Sequence, residues 1–221
     1  MYRIGVISDT HGLLREEVKR ELKSCDVILH GGDIHKRGIL EELDKAAPVY
    51  AVRGNADGDW AKRVPKFLAV KLYGISFFMV HDIKELPEAA RRADIVVFGH
   101  SHKYTDYMEE GIRFLNPGSC GPKRFRLPVT MAVIETEGKG SYDIKQIDFT
   151  KTLPELNPDM PREEKISRRL VQKVMRDVDK KRSVEQIAWE NSISEELAEA
   201  ICRMYLTHPG IGVDGILDRI T

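Results

Sequence analysis

Apolar runs that stop at a carboxylate, amide or imidazole recur along the first hundred residues, and this repetition limits what the chain can fold into. Asp94-Ile95-Val96-Val97-Phe98 leads into Gly99-His100-Ser101-His102. Four consecutive apolar side chains, mostly β-branched or aromatic, read as a buried strand. Glycine before the histidines lets the backbone turn tightly. Alternation along an extended chain would send His100 and His102 to the same side, two imidazoles suited to a borderline metal ion. Taken alone, His-x-His also reads as a surface loop that happens to hold two histidines.

The same pattern appears four more times. Residues 2–8 read as a strand ending in Asp9-Thr10-His11-Gly12. Residues 26–30 run into Gly31-Gly32-Asp33-Ile34-His35, and residues 49–52 into Arg53-Gly54-Asn55-Ala56-Asp57. Residues 67–72 and 75–80 flank Tyr73-Gly74 as a hairpin whose second strand ends in His81-Asp82. Helical spacing over 13–24 and 37–47 joins the first three strands, which predicts an α/β sheet that begins parallel. In such sheets the site gathers at the carboxyl ends of the strands. A helix is expected over 86–93 and further strands over 104–109, 111–115, 130–136 and 141–149. Asn116-Pro117-Gly118-Ser119 reads as a turn between strands.

The residues at these strand ends are Asp9, His11, Asp33, Asn55, His81, His100 and His102. Burying them unpaired would cost several kcal/mol apiece. A pair of cations removes that cost, and the set supplies the shared carboxylate, the nitrogens and the neutral oxygen that two ions require.

Asp9-Thr10-His11, Gly32-Asp33, Gly54-Asn55, His81 and Gly99-His100-Ser101-His102 resemble, in order and rough spacing, the motifs of the calcineurin-like metallophosphoesterase superfamily. Length and the Asn116-Pro117-Gly118-Ser119 segment are similar to its small bacterial and archaeal phosphodiesterase branch. The resemblance covers residues 1–150 and implies an αββα fold, a β-sandwich flanked by helices. It implies two divalent metal ions, of manganese, nickel, iron or zinc. One would take Asp9, His11, Asp33 and His102. The other would take Asp33, Asn55, His81 and His100, with Asp33 bridging. The implied activity is phosphodiester hydrolysis by a metal-bridging hydroxide. A phosphomonoesterase with the same site is the alternative, a metal-free interaction scaffold is a third reading, and a nucleic-acid-associated hydrolase that binds its substrate through the C-terminal helices is a fourth.

Many relatives carry histidine after the asparagine of the third motif, where it protonates the leaving oxygen. Here Ala56 stands in that place and has no proton to give, which favours good leaving groups such as aryl esters. His35, two residues after Asp33, is the candidate replacement, with an outer contact or a plain loop histidine as the competing readings. Asp82 either holds the His81 ring or faces water. Asn55, Lys123 and Arg124 are candidate substrate contacts, the two cations reading equally as a solvated loop. His30 reads as a packed residue and Cys120 as a small spacer.

After Phe149 the character changes. Residues 151–161 hold three prolines and read as a linker, and residues 162–221 as an all-α, helix-turn-helix-like extension. A helix is expected over 162–182, with Ser183 and Ser194 as N-caps of the helices that follow. The 162–182 stretch carries nine basic against four acidic residues, yet Glu195, Glu196 and Glu199 on the second helix of the turn motif would repel phosphates. A structural or homo-oligomerisation module is therefore expected, with nucleic-acid binding the less favoured partner. The whole chain has 221 residues, 35 basic and 35 acidic, so general polyelectrolyte affinity for nucleic acid or membrane is not expected. Three scattered cysteines and the absence of a signal-like start point to a reducing, cytoplasmic setting. No apolar run approaches the ~20 residues of a membrane span.

Overall fold

The computed structural model describes residues 1–122, 127–138, 140–150, 166–180, 182–191, 193, 195–208 and 210–220; of residues 185, 189, 195 and 196 only the backbone is described. It divides into two units, Met1–Pro154 and Glu155–Thr221.

The first unit begins with β1 (Tyr2–Ile7), β2 (Val27–His30) and β3 (Val49–Ala51), which run parallel because α1 (Glu16–Leu22) and α2 (Arg37–Leu43) carry the chain back between them. β4 (Phe67–Leu72) and β5 (Ile75–Val80) form the expected hairpin, turning through Tyr73 and Gly74, both with positive φ. β6 (Ile95–Val97), β7 (Tyr104–Glu109), β8 (Ile112–Pro117), β9 (Thr130–Thr136) and β10 (Tyr142–Asp148) complete the strands. Among the described residues they make two sheets of order β10-β9-β1-β2-β3 and β4-β5-β6-β8-β7.

Period-two alternation builds the layers. Ile4, Val6, Val27 and Leu29 of the first sheet meet Phe77, Met79, Ile95, Val97 and Leu115 of the second, and this inter-sheet core is buried throughout. The other face of the first sheet, with Ile7 and Ile28, packs on Val18 and Leu22 of α1 and on Ile39 and Leu43 of α2. Behind the second sheet, Phe78, Val80, Val96 and Phe98 pack with Ala90. Fully burying a side chain such as Phe77 is worth about 1.5–3 kcal/mol, so these clusters hold the strand ends in fixed register. The α/β sandwich with flanking helices is the expected fold.

Two local expectations are corrected. The helix expected over 86–93 is a five-residue 3-10 segment, Glu88–Arg92, because the chain between Pro87 and Asp94 is too short for an α-helix of ordinary length. Asn116 and Pro117 are not a turn. They are the last two residues of β8, paired with Thr105 and Tyr104, and the chain leaves the sheet at Gly118 (φ +76°).

The second unit contains α3 (Arg168–Asp179), α4 (Val184–Asn191), α5 (Glu195–Thr207) and α6 (Val213–Ile220). α3 starts later than expected because Ser167 caps it, its Oγ accepting from Leu170 N at 3.1 Å. Ser183 caps α4 reciprocally: its Oγ accepts from Gln186 N at 3.3 Å, and Gln186 Oε1 accepts from Ser183 N at 3.2 Å. Val171, Val174, Ile187, Ala198, Ile201 and Ile216 form the unit's own core. Asp177 is buried beside it and takes Arg182 Nη1 at 2.8 Å and Asn191 Nδ2 at 3.0 Å. Ser194 and the expected linker, 151–161, lie outside the described residues. Among the described residues no helix is long and apolar enough to cross a membrane.

Candidate metal centre

The centre lies where β1, β2, β3, β5 and β6 deliver their carboxyl ends. The loops after β1 and β2 are zipped together by backbone hydrogen bonds, Asp9 N to Gly32 O at 2.9 Å, His11 N to Asp33 O at 3.0 Å and Gly12 N to Ile34 O at 3.0 Å. Within the second sheet, just past the paired ends of β5 and β6, Gly99 N donates to His81 O at 2.9 Å. Among the described residues eight non-glycine positions have positive φ, and six belong here: Asp9, His11, Asp33, His35, His100 and His102. Such conformations cost about 1–3 kcal/mol each and persist only where the surroundings enforce them, which these cross-loop bonds do.

That backbone corrects the expected side-by-side placement of His100 and His102. In left-handed rather than extended conformation the two rings part. His102 is buried, its Nε2 lying 3.1 Å from Asp9 Oδ1 and 3.2 Å from His11 Nε2. His100 is 45% exposed and its Nδ1 lies 3.0 Å from Asn55 Oδ1. Gly99 is needed for close approach rather than for its torsions: a Cβ there would sit 2.1 Å from Ser8 Oγ. At Gly54 a Cβ would come within 2.0 Å of Asp33 Oδ1.

Two tight clusters result, Asp9–His11–His102 and Asp9–Asp33–His81. Asp33 Oδ2 spans them, 3.3 Å from His81 Nε2 and 3.8 Å from His11 Nε2. Asn55 and His100 stand at the rim rather than in either cluster. Burial alone would raise the Asp33 carboxyl; the His81 imidazole and the Ala56 N–H, 2.9 Å from Oδ1, outweigh it and hold the group below the usual carboxylate range. Burial also works against ionisation of Asp9, where His102 and His81 prevail and lower it. His81 is disfavoured as a cation by burial, yet Asp33 and Asp9 lift it to about 9.

The chemistry of the donors fits divalent cations. Asp9 Oδ2 and His102 Nδ1 are buried without a hydrogen-bond partner among the described residues. Such atoms are costly unless something positive or proton-bearing meets them. His81 donates its Nδ1 proton to Gly31 O at 2.8 Å, so that when the ring gives up its other proton it is Nε2 that offers a lone pair toward the carboxylates. Mixed imidazole and carboxylate donors match manganese, iron, nickel or zinc.

Several residues have roles that the chain's local pattern does not announce. Gly31, not Asp82, holds the His81 ring; Asp82 Oδ1 instead accepts from Lys84 N at 3.0 Å, and its Oδ2 lies 4.0 Å from His100 Nε2. Asp57 accepts from Ile34 N and His35 N, both at 2.7 Å, and from Gly54 N at 2.8 Å, so one carboxylate ties the Asp33 loop to the Asn55 loop. Asn116, buried at the end of β8, donates to Gly99 O at 2.7 Å and Ser101 Oγ at 3.1 Å and pins the histidine loop. His35 Nε2 lies 3.1 Å from His11 Nδ1, the ring nitrogen not turned to the carboxylates. Its place is therefore behind His11, not on the Asn55–His100 rim.

His30 and Cys120 are packing residues, as read from the sequence. His30 is wholly buried, its Nδ1 accepting from Gly32 N at 3.1 Å and its Nε2 3.0 Å from Thr10 Oγ1, and burial pushes it down to about 4. Burial likewise pushes the Cys120 thiol up to about 12, which makes it inert. Lys123 and Arg124 lie outside the described residues. A cleft of about 330 Å³ opens over the rim, lined by Asn55, His81 and His100 together with Arg53, Lys66, Asp82 and Glu85. Arg53 Nη1 donates to Val64 O at 2.7 Å, and Lys66 pairs with Glu85 at 2.9 Å. Arg53 immediately precedes the Gly54-Asn55 pair, a sequence signal for a cation at the centre's mouth.

Known proteins resemble this chain in sequence and in fold. A "probable metallophosphoesterase" of Methanothermobacter thermautotrophicus is 31% identical over 62% of this chain and 87% of its own length. A protein named a phosphodiesterase in Methanocaldococcus jannaschii is 24% identical over 64% of this chain and 98% of its own. The crystal structure of Entamoeba histolytica Vps29 complexed with zinc superposes with a TM-score of 0.52 at 20% identity, covering 66% of this chain and 99% of that one. Residues 2–139 match the calcineurin-like phosphoesterase superfamily domain, and the chain belongs to that superfamily.

Proposed function

We propose that the first unit is a dinuclear-metal phosphodiesterase. One observation carries the reading: two buried carboxylates, Asp9 and Asp33, share a pocket with His11, His81 and His102, and part of that donor set is unclaimed by hydrogen bonds. Asp9, His11, Asp33 and His102 would hold one ion, and Asp33, Asn55, His81 and His100 the other. When bound, the ions supply the Lewis acidity that makes water a nucleophile near neutral pH and offsets charge on the phosphoryl oxygens.

The chain's own residues do the rest. Gly31 O keeps the His81 proton on Nδ1, so Nε2 faces inward. Asp57 and Asn116 hold the three loops in register, which keeps the donors at fixed separation. The cleft over Asn55 and His100 admits a phosphoester, and Arg53 offers guanidinium protons to its oxygens. Ala56 follows Asn55 where a proton donor to the leaving oxygen would be useful. The preferred substrates are therefore diesters with a good leaving group rather than simple alkyl esters.

The test is hydrolysis of an aryl phosphodiester against the matching aryl monoester, with manganese or nickel added, for wild type and Asp33→Ala. Faster diester turnover that disappears in Asp33→Ala is expected. Equal or faster monoester turnover would replace the diesterase reading by a monoesterase. Loss of neither activity in the variant would remove the chemistry from this centre.

A further inference from the structure

His11 uses its two ring nitrogens differently. Its Nε2 faces the carboxylates, 3.8 Å from both Asp9 Oδ1 and Asp33 Oδ2. Its Nδ1 lies 3.1 Å from His35 Nε2, with the two rings edge to face at a centroid separation of 4.6 Å and an angle of 83°. For Nε2 to offer a lone pair to an ion, the ring proton must sit on Nδ1. That proton needs an acceptor, and His35 Nε2 is within reach. His35 is itself held. Its backbone N–H is bonded to Asp57 Oδ1 at 2.7 Å, and its φ of +69° aims the ring back at His11.

The two clusters differ in how this control is exercised. His81, in the Asp9–Asp33–His81 cluster, has its Nδ1 proton taken by a main-chain carbonyl, which no substitution at Gly31 removes. His11, in the Asp9–His11–His102 cluster, meets a side chain instead. Resting on the two-metal reading, we infer that His35 is a positioning residue: it fixes the Nδ1–H tautomer and the ring orientation of His11, and so sets the affinity of one metal position and not of the other.

The experiment is calorimetric titration of the chelator-stripped full chain with zinc. Wild type should take up two ions. His35→Leu should bind one of them about 10- to 100-fold more weakly and leave the other within about twofold, the range seen when the partner of a metal-bound histidine is lost. His35→Gln, whose amide oxygen reaches the same place, should retain both within about threefold. Unchanged two-ion binding by His35→Leu overturns the inference, and so does equal weakening of both ions, which a merely structural role would produce. Should His35→Leu not fold, nitrogen-15 spectra of the zinc-loaded wild type decide. They should show the His11 Nδ1 proton coupled to His35 Nε2, and a His11 Nδ1 proton without that coupling overturns the assignment. A wild type that takes up no zinc is a different failure, since it removes the two-metal reading itself.

Discussion

Asp57 is the point at which one atom change should separate the loops of the centre. Its Oδ1 accepts from Ile34 N and His35 N and its Oδ2 from Gly54 N, at 2.7, 2.7 and 2.8 Å. Asp57→Ala leaves three backbone donors without their acceptor. The residue is only half-buried, so water can reach some of them, and the low end of the usual cost applies, about 1 kcal/mol per bond and about 3 kcal/mol in all. For a unit of this size that lowers the melting temperature by roughly 6–12 °C. Asp57→Asn is the more informative change. Its carbonyl oxygen can keep Ile34 and His35, but its amide would face the Gly54 N–H, donor against donor. The expected stability loss is about half that of alanine, roughly 1–2 kcal/mol. The link between the Asp33 and Asn55 loops is lost in both variants, and misplacement by an ångström costs on the order of 100-fold in turnover. Thermal unfolding in chelator measures the first effect and metal-loaded diester hydrolysis the second. An alanine variant that melts with wild type, or an asparagine variant with full turnover, would refute the role given to this carboxylate.

Two pH dependences follow from buried histidines. His30 titrates near 4 in the fold against 6.5 for an ordinary histidine, so the unfolded chain takes up its proton first as pH falls. Its contribution is whole above about pH 6.5 and lost on approaching pH 4, by roughly 3 kcal/mol, and urea unfolding at pH 7.5 and 4.5 should lose that dependence in His30→Asn. His81 has the opposite sign in the metal-free protein: lifted from 6.5 to about 9, it stabilises fully below about pH 6.5, and that stability fades as pH rises through 9. A cation that takes Nε2 must displace this proton, so metal uptake at neutral pH should release protons and strengthen by up to about tenfold per pH unit below 9. Calorimetry in buffers of different ionisation heat reads the proton count, and a count of zero would contradict the His81 assignment.

How much of this was legible from the chain alone depends on the distance over which each feature is determined. The strands, their order along the chain and the polar residue at each end are local, set by runs such as Ile95-Val96-Val97 and Ile75 to Val80, and the structure has them there. The left-handed conformations of Asp9, His11, Asp33, His35, His100 and His102 are not local. They exist because the β1 and β2 loops bond to one another and because β5 and β6 meet at His81 O and Gly99 N. Alternation, which placed His100 beside His102, holds only while a chain stays extended. A polar residue just past the last strand pair is where that condition ends, and the same loops that suspend it bring the donors together. Asp57, Asn116 and Gly31 escaped notice for a related reason: each acts through a bond between a side chain and a main-chain group 17 to 50 positions apart, and such bonds leave no periodic trace. The candidate donors are therefore the residues a sequence displays, while the residues that aim them become visible only when their partners are in place.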